Sequence, residues 1–266
     1  MRVHVGCRFR HTTEGPTPAV WQVRPRVDGP HDLRTARWDV EPDLRATSYV
    51  DSFGNLCDRM LLPAGPSTVV FDAVVDVSGR PDEVDEGAPQ VPVEELPDDA
   101  LLYLLPSRFC LPDLLYDEAW GLFGSGPTGW GRVQAVCDWV HPEVRFNYQA
   151  TTPATTSLDV WQARTGVCRD FAHLAVTLCR ALNIPARYAF GYLPDIGVPP
   201  PKDPMDFCAW VEVYLGDRWW TFDPRNNQRR IGRVLIGRGR DAVDVAMLTT
   251  YGAALLDEMT VWAEEA

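Results

Sequence analysis

The first 80 residues alternate apolar and polar positions with the period of two that is typical of half-buried β-strands. The alternation is clearest over residues 3–9, and β-branched residues are frequent over residues 68–77. Residues 48–51 and 56–62 flank a Phe-Gly-Asn sequence that predicts a hairpin. We therefore predict a small antiparallel β domain of the sandwich type over residues 1–80.

A change in composition separates this region from the rest of the chain. Residues 81–100 are acidic, rich in proline and poor in large apolar side chains, which predicts a linker. Beyond them, the apolar positions follow the period of a helix. The clearest case is residues 168–182, where a continuous apolar stripe ends at Asn183 and Pro185.

Shorter patterns complete the second half of the chain. Helices are predicted over residues 113–123, 129–140 and 157–163, and strands over residues 186–193, 207–215, 218–223 and near 259–262. Helices followed by strands favour an α+β domain, which we place at residues 101–266.

Charge and cysteine usage exclude several classes of function. The net charge is −12, which argues against nucleic acid or an anionic membrane as a partner, because both require clustered Lys and Arg. No segment has the roughly 20 apolar residues that span a membrane, and the start resembles no signal peptide, so we expect a cytoplasmic protein. The seven cysteines show no disulfide-framework or zinc-site spacing. We expect no metal and no cofactor, because phosphate-loop and dinucleotide motifs are also missing.

Cys168 is the first residue of the strongest predicted helix. A thiol there faces the positive end of the helix dipole and unpaired backbone N–H groups, which favour the thiolate and can stabilise an oxyanion. Position alone nevertheless favours a cysteine packed in the core, because Phe171 lies three residues further along the buried stripe.

The sequence around Cys168 changes that interpretation. The segments TGVCRDFAHL, CRALNIPARY, DFCAWVEVYL and WWTFDP, in this order, resemble the bacterial transglutaminase-like superfamily over roughly residues 105–225. The resemblance implies a papain-like core in which a cysteine at a helix start, a histidine on the next strand and an aspartate on the following strand act on acyl groups through a thioester. It assigns the nucleophile to Cys168 and the third position to Asp223. The β-rich start also resembles the N-terminal domain that accompanies this family.

The general-base position departs from the family pattern, which is His-Ala-Trp where this chain has Cys208-Ala209-Trp210. An imidazole accepts a thiol proton and returns it to a leaving amine, whereas a cysteine is mostly protonated at neutral pH. Of the five histidines, His173 is nearest in sequence to Cys168. It lies about 140° around the helix from the thiol, so we expect a structural role for it.

Three interpretations of this Cys-Cys-Asp site remain open. The chain is an altered enzyme whose Cys168 takes an acyl group from an activated donor, because a good leaving group needs less acid catalysis than an amide. Alternatively, it is a catalytically inactive binding module, or Cys168 and Cys208 form a reversible disulfide. The expected partner is a peptide, an amide or a carrier-bound acyl substrate, and the oligomeric state is unknown.

Aromatic residues on the predicted strands are candidates for the substrate site. Tyr192, Trp210 and Trp220 are predicted to line an apolar cleft, and the alternative is that they pack against the helix that begins at Cys168. Asp206, which precedes the strand, is interpreted as a turn residue.

Overall fold

The computed structural model describes residues 1–199 and 203–266. Within them the chain forms fourteen strands: β1 (Arg2–Thr13), β2 (Thr17–Trp21), β3 (His31–Glu41), β4 (Thr47–Val50), β5 (Leu56–Leu62), β6 (Gly65–Val77), β7 (Arg145–Phe146), β8 (Thr165–Gly166), β9 (Ala186–Tyr192), β10 (Cys208–Leu215), β11 (Arg218–Phe222), β12 (Val234–Gly239), β13 (Leu248–Thr250) and β14 (Ala254–Glu265). The α-helices in the same part of the chain are α1 (Asp98–Leu101), α2 (Tyr116–Phe123), α3 (Trp130–Glu143), α4 (Ser157–Ala163) and α5 (Cys168–Ala181).

Two antiparallel sheets form the N-terminal half. One has the strand order β14-β1-β6-β3 and the other has the order β13-β2-β5-β4. Their buried side chains, such as Phe9 and Phe71 from the first sheet and Trp21 and Met60 from the second, belong to one apolar core. This confirms the predicted antiparallel β domain, and the predicted hairpin is the pair of β4 and β5.

Strands from the far end of the chain complete both of these sheets. β14 pairs with β1 from Val3↔Glu265 to Thr13↔Ala254, and β13 pairs with β2. The predicted domain at residues 101–266 includes β13 and β14, whereas in the structure both strands pair with strands of the N-terminal half. Alternation of apolar and polar positions predicts a strand but does not identify the strand with which it pairs.

The remaining secondary structure forms the predicted α+β core. A third antiparallel sheet has the order β11-β10-β9-β12, and α5 packs on β9 and β10 while α2, α3 and α4 contact α5. The predicted apolar stripe is buried, since Phe171, Leu174, Leu178 and Leu182 are all at most 2% exposed. The predicted α5, β9, β10 and β11 are confirmed, each with one end that shifts by a single residue.

The predicted linker at residues 81–100 is held against the C-terminal half. Asp82 forms an ion pair with Arg233 at 2.9 Å, the backbone N–H of Trp130 donates to the Ala88 carbonyl at 2.9 Å, and Gln90 donates to a carbonyl at the end of α5. The composition of this segment indicates few apolar contacts, but it does not exclude attachment by buried polar contacts.

Candidate active site at Cys168

A cavity of about 380 Å³ opens at the start of α5. Its walls are the first turn of α5, the chain that leads into β10, Arg225 after β11 and the segment 242–248. That segment continues into β13, and its Met247 carbonyl accepts a hydrogen bond from the Gln22 backbone N–H at 3.0 Å. The cavity therefore lies where the α+β core meets the N-terminal sheets.

The start of α5 is fixed by its own residues. The Asp170 carboxylate accepts a hydrogen bond from the Val167 N–H at 2.9 Å and forms an ion pair with Arg169 at 3.1 Å. Gly166 is required for this arrangement, because a Cβ at that position would lie 2.6 Å from the Cβ of Asp170. As a result, Cys168 is held as the first helical residue, with its thiol partly exposed to the cavity and at the positive end of the helix dipole.

Cys208, the first residue of β10, is buried and lines the cavity beside Cys168. Its thiol is the largest factor that lowers the pKa of Cys168; burial and the charge of Asp206 oppose it, while Arg225 and the Ala209 N–H add to it. The Cys168 sulfur, together with burial and the charge of Asp223, raises the pKa of Cys208 well above its ordinary value. Cys208 thus stays a thiol that can donate to an ionised Cys168, and its Sγ donates to the Ala209 carbonyl at 3.7 Å in this structure. Both cysteines are free.

A guanidinium group accompanies the two thiols. Arg225 lines the cavity, and its Cζ lies 4.3 Å from the centroid of the Phe146 ring. It is close enough to Cys168 to lower the pKa of that thiol. The cavity contains two further arginines, Arg169 and Arg230, and each is paired with an aspartate. Among the described residues of the cavity wall, Arg225 is therefore the arginine without an aspartate partner that interacts with the thiols.

Asp223 is buried directly after β11, and its carboxylate has other partners than an imidazole. It accepts hydrogen bonds from the backbone N–H of Asn226 at 2.9 Å, from the side chain of Asn226 at 2.8 Å and from Arg233 at 2.8 Å. Burial alone would raise the pKa of Asp223, but Arg233 and Asn226 more than offset this and hold the pKa below its ordinary value. Asp223 is ionised, and Arg233 balances its charge.

The three aromatic residues predicted to line the substrate cleft do not occur among the described residues of the cavity wall. Tyr192 is fully buried and donates to the Val23 carbonyl of the N-terminal half at 2.8 Å. Trp210 lies deeper in β10 and is covered by Arg233, whose Cζ is 5.0 Å from its ring. Trp220 donates to a backbone carbonyl of its own hairpin at 3.2 Å. Packing between elements occupies all three rings, so the structure does not bring them together in this cavity.

None of the five histidines is among the described residues that line the cavity. His173 stacks on Phe109 with ring centroids 5.2 Å apart, and its Nε2 accepts a hydrogen bond from the Ala242 N–H at 3.1 Å. Burial and nearby arginines keep the pKa of His173 well below its ordinary value. His141 donates to the Arg225 carbonyl at 2.8 Å. His173 thus holds the start of the segment 242–248, which matches the structural role expected from its helical spacing.

Two functional candidates were not predicted from the sequence. Asp206 lines the cavity and is not merely a turn residue. Asp206 lies two residues before Cys208 and lines the same cavity, so its nearness to the base position is the signal that the sequence offers. Arg225 follows Asp223 by two residues in a loop, where no comparable pattern predicts the direction of its side chain.

This α+β core has a cysteine at the start of a helix, close to the first residue of a neighbouring strand, and a buried aspartate after the next strand. These features define the papain-like class of cysteine acyl-transfer folds. The family model of the transglutaminase-like superfamily matches residues 123–224. The chain belongs to this superfamily.

Two individual comparisons extend the match to both halves of the chain. The crystal structure of a proposed cysteine protease from Cytophaga hutchinsonii is similar over 100% of this chain and 90% of that chain, with a TM-score of 0.90 and 30% sequence identity. An uncharacterised protein of Mycobacterium tuberculosis is 30% identical over 230 residues, which is 79% of this chain and 73% of that protein.

A third relative matches over a shorter segment. An uncharacterised protein of Mycobacterium leprae is 32% identical over 124 residues, which is 42% of its length.

In the described part of the chain, the helices are too short or too polar to cross a membrane.

Proposed function

We propose that this chain transfers acyl groups through a thioester on Cys168 and takes them from an activated donor rather than from an amide. The observation that carries the proposal is the environment of the Cys168 thiol. It lies at a helix N-terminus in a cavity, beside the Cys208 thiol and Arg225, and both of these groups lower its pKa. All three contacts favour the thiolate, which is the nucleophilic form of cysteine.

Arg225 takes over one of the two roles that a histidine would have. Like an imidazolium, a guanidinium stabilises a neighbouring thiolate by its charge. Unlike an imidazolium, it stays protonated, with a pKa above about 12, and cannot give its proton to a leaving group. Cys208, with its raised pKa, is also a poor acid. The site therefore supports nucleophilic attack but gives little help to an amine that must leave with a proton.

A thioester donor fits this division of roles. The Cys168 thiolate attacks the carbonyl carbon, the bond from that carbon to the donor sulfur breaks, and the donor leaves as a thiolate. No proton is needed, because an ordinary thiol has a pKa of only about 8.5. The acyl group remains on Cys168 until an acceptor nucleophile displaces it. Aromatic residues of the cavity, Phe146, Tyr148 and Phe190, suit an apolar acyl group, including one that is delivered by a carrier.

The proposal is tested with p-nitrophenyl acetate as an activated donor and acetyl p-nitroanilide as the matched amide. We expect a burst of p-nitrophenolate from the ester, one acetyl group on Cys168 by peptide mass spectrometry, and no turnover of the anilide. Cys168→Ala should abolish the burst, whereas Cys57→Ala, in the β sandwich, should retain it. If the wild-type protein gains no acetyl group at Cys168, the catalytic proposal is wrong and the binding-module alternative is favoured.

The contact between the two thiols supports a second use of the same site, as a reversible redox lock. A peroxide would oxidise Cys168 and Cys208 to a disulfide and be reduced to water, so that two thiol hydrogens are lost from the protein. We expect the burst to disappear after treatment with hydrogen peroxide and to return with dithiothreitol. A peroxide-treated protein that keeps both the burst and two free thiols at these positions would rule out the lock.

A further inference from the structure

The second half of an acyl transfer needs a group that the thiol pair does not supply. When water or an amine attacks the thioester on Cys168, the attacking atom must lose a proton. Cys208 is protonated and Arg225 is a permanent cation, so neither can accept that proton. The cavity therefore has to contain another base if acyl groups are to be released at a useful rate.

Asp206 is a carboxylate of the cavity wall that is held next to the nucleophile through one residue. Its Oδ1 accepts a hydrogen bond from the Phe207 backbone N–H at 2.7 Å. The carbonyl of the same residue accepts a hydrogen bond from the protonated Cys168 thiol at 3.7 Å. Phe207 itself is anchored, since its buried ring lies 5.3 Å from that of Tyr192 and 6.4 Å from that of Phe9. The backbone that carries Asp206 is therefore fixed relative to Cys168.

The Asp206 side chain shares the cavity with Cys208. Both residues line the wall, as does Phe207 between them, whose ring also packs near Phe9 of the N-terminal sheets. Cys208 fills the position at which the family pattern has its histidine. Asp206 thus lies two residues before the place where a proton acceptor would be expected.

The charges around Asp206 suit proton transfer. Burial raises its pKa, while the Phe207 N–H and Arg225 oppose that rise, and the Cys168 thiolate also interacts with it. Tyr148 and Asp203 are further ionisable groups among the described residues of the cavity wall. A carboxylate with a raised pKa is a stronger base than an exposed one.

We propose that Asp206 is the catalytic base of deacylation, and the proposal rests on the thioester function proposed above. The Asp206 carboxylate accepts a proton from the attacking water or amine as the oxygen or nitrogen bonds to the acyl carbon. The bond from that carbon to the Cys168 sulfur then breaks, and Cys168 leaves as the thiolate. Asp206 finally returns its proton to solvent, so that the site is restored.

The test separates acylation from deacylation in Asp206→Asn with p-nitrophenyl acetate. The burst of p-nitrophenolate should persist, because acylation of the thiolate needs no base. Steady-state turnover with water should fall by about 100-fold or more, the usual range for loss of general acid–base catalysis, and acetyl-Cys168 should accumulate. Thiophenolate, an acceptor that is already ionised, should restore turnover to the wild-type rate with that acceptor. A purely structural role of Asp206 would not distinguish between the two acceptors.

Two further variants complete the design. Asp206→Glu keeps a carboxylate and should recover part of the turnover with water. Asp217→Asn removes the same charge from the exposed β10–β11 turn and should behave as the wild type. Wild-type turnover with water in Asp206→Asn, together with a normal burst, would overturn the role of Asp206 and leave the thioester function intact. Lack of a burst in the wild-type protein would instead remove both proposals.

Discussion

Replacing Cys208 by alanine removes the thiol that contributes most to the lowered pKa of Cys168. The variant keeps Arg225 and the Ala209 N–H, so the thiolate loses one of its three stabilising contacts. Hydrogen bonds to charged groups contribute about 1.5–3 kcal/mol, and a thiol is a weak donor. We therefore take a contribution of about 1.4 kcal/mol, which is a factor of ten in the equilibrium between thiol and thiolate.

The alkylation rate does not follow that equilibrium alone. A more basic thiolate is intrinsically more nucleophilic, and on a logarithmic scale this recovers roughly half of the rate that is lost through the smaller thiolate fraction. Iodoacetamide should therefore modify Cys168 about three- to fourfold more slowly in Cys208→Ala at a pH below the pKa of the thiol. At a pH above the pKa in both proteins the order should reverse, with the variant about threefold faster.

Intact-mass spectrometry measures the alkylation rate both below and above the pKa of Cys168. The added mass reports on Cys168, because it is partly exposed whereas the other six cysteines are buried. Cys208→Ser retains a hydrogen-bond donor at the same position. At low pH its Cys168 should therefore be alkylated at about the wild-type rate. Identical pH profiles for the wild-type protein and Cys208→Ala would refute the assignment of Cys208 as the donor that stabilises the thiolate.

Two other predictions concern the aspartate at the third site position. Arg233→Gln leaves Asp223 and Asp82 without their shared buried cation and should lower the free energy of unfolding by about 3–5 kcal/mol at pH 7. This loss should shrink towards acidic pH, because protonation neutralises the buried unpaired carboxylate. Urea unfolding at several pH values measures it. As a control, Arg10→Gln, which breaks an exposed ion pair, should lower the free energy of unfolding by at most about 1 kcal/mol. Cys208→His should raise cleavage of acetyl p-nitroanilide by about 100-fold, because an imidazole can supply general acid–base catalysis. We expect only the lower end of the usual range, because Asp223 is already paired with Arg233 and is less free to orient the new imidazole. An inert histidine variant would mean that the missing imidazole is not what limits amide cleavage.

The sequence predicts the parts of this protein that depend on local periodicity or on a contiguous motif. The apolar stripe of α5, the strands that follow it and the start of α5 at Cys168 are all present. These features depend on residues close together in sequence, so one segment contains the whole signal.

Features that depend on distant partners were predicted poorly. Trp210 has the composition of a cleft residue, but Arg233 covers it from another segment. The charge of Asp223 is balanced by that same arginine, and nothing in the spacing of ten residues between them predicts an ion pair. The proximity of Cys168 and Cys208 came from the family resemblance and not from periodicity. The direction of Arg225 depends on how its loop packs against α3, where His141 donates to the Arg225 carbonyl, and local propensity does not determine this packing.

The pairing of β14 with β1 has a consequence for the synthesis of the chain. β1 is synthesised before β14, so one of its two edges stays open until residues 254–265 follow. An open edge that carries apolar residues such as Val5 and Phe9 can pair with other chains. Contacts of such long sequence separation also form slowly. Between the synthesis of β1 and that of β14, chaperone binding to β1 should therefore protect the nascent protein from aggregation.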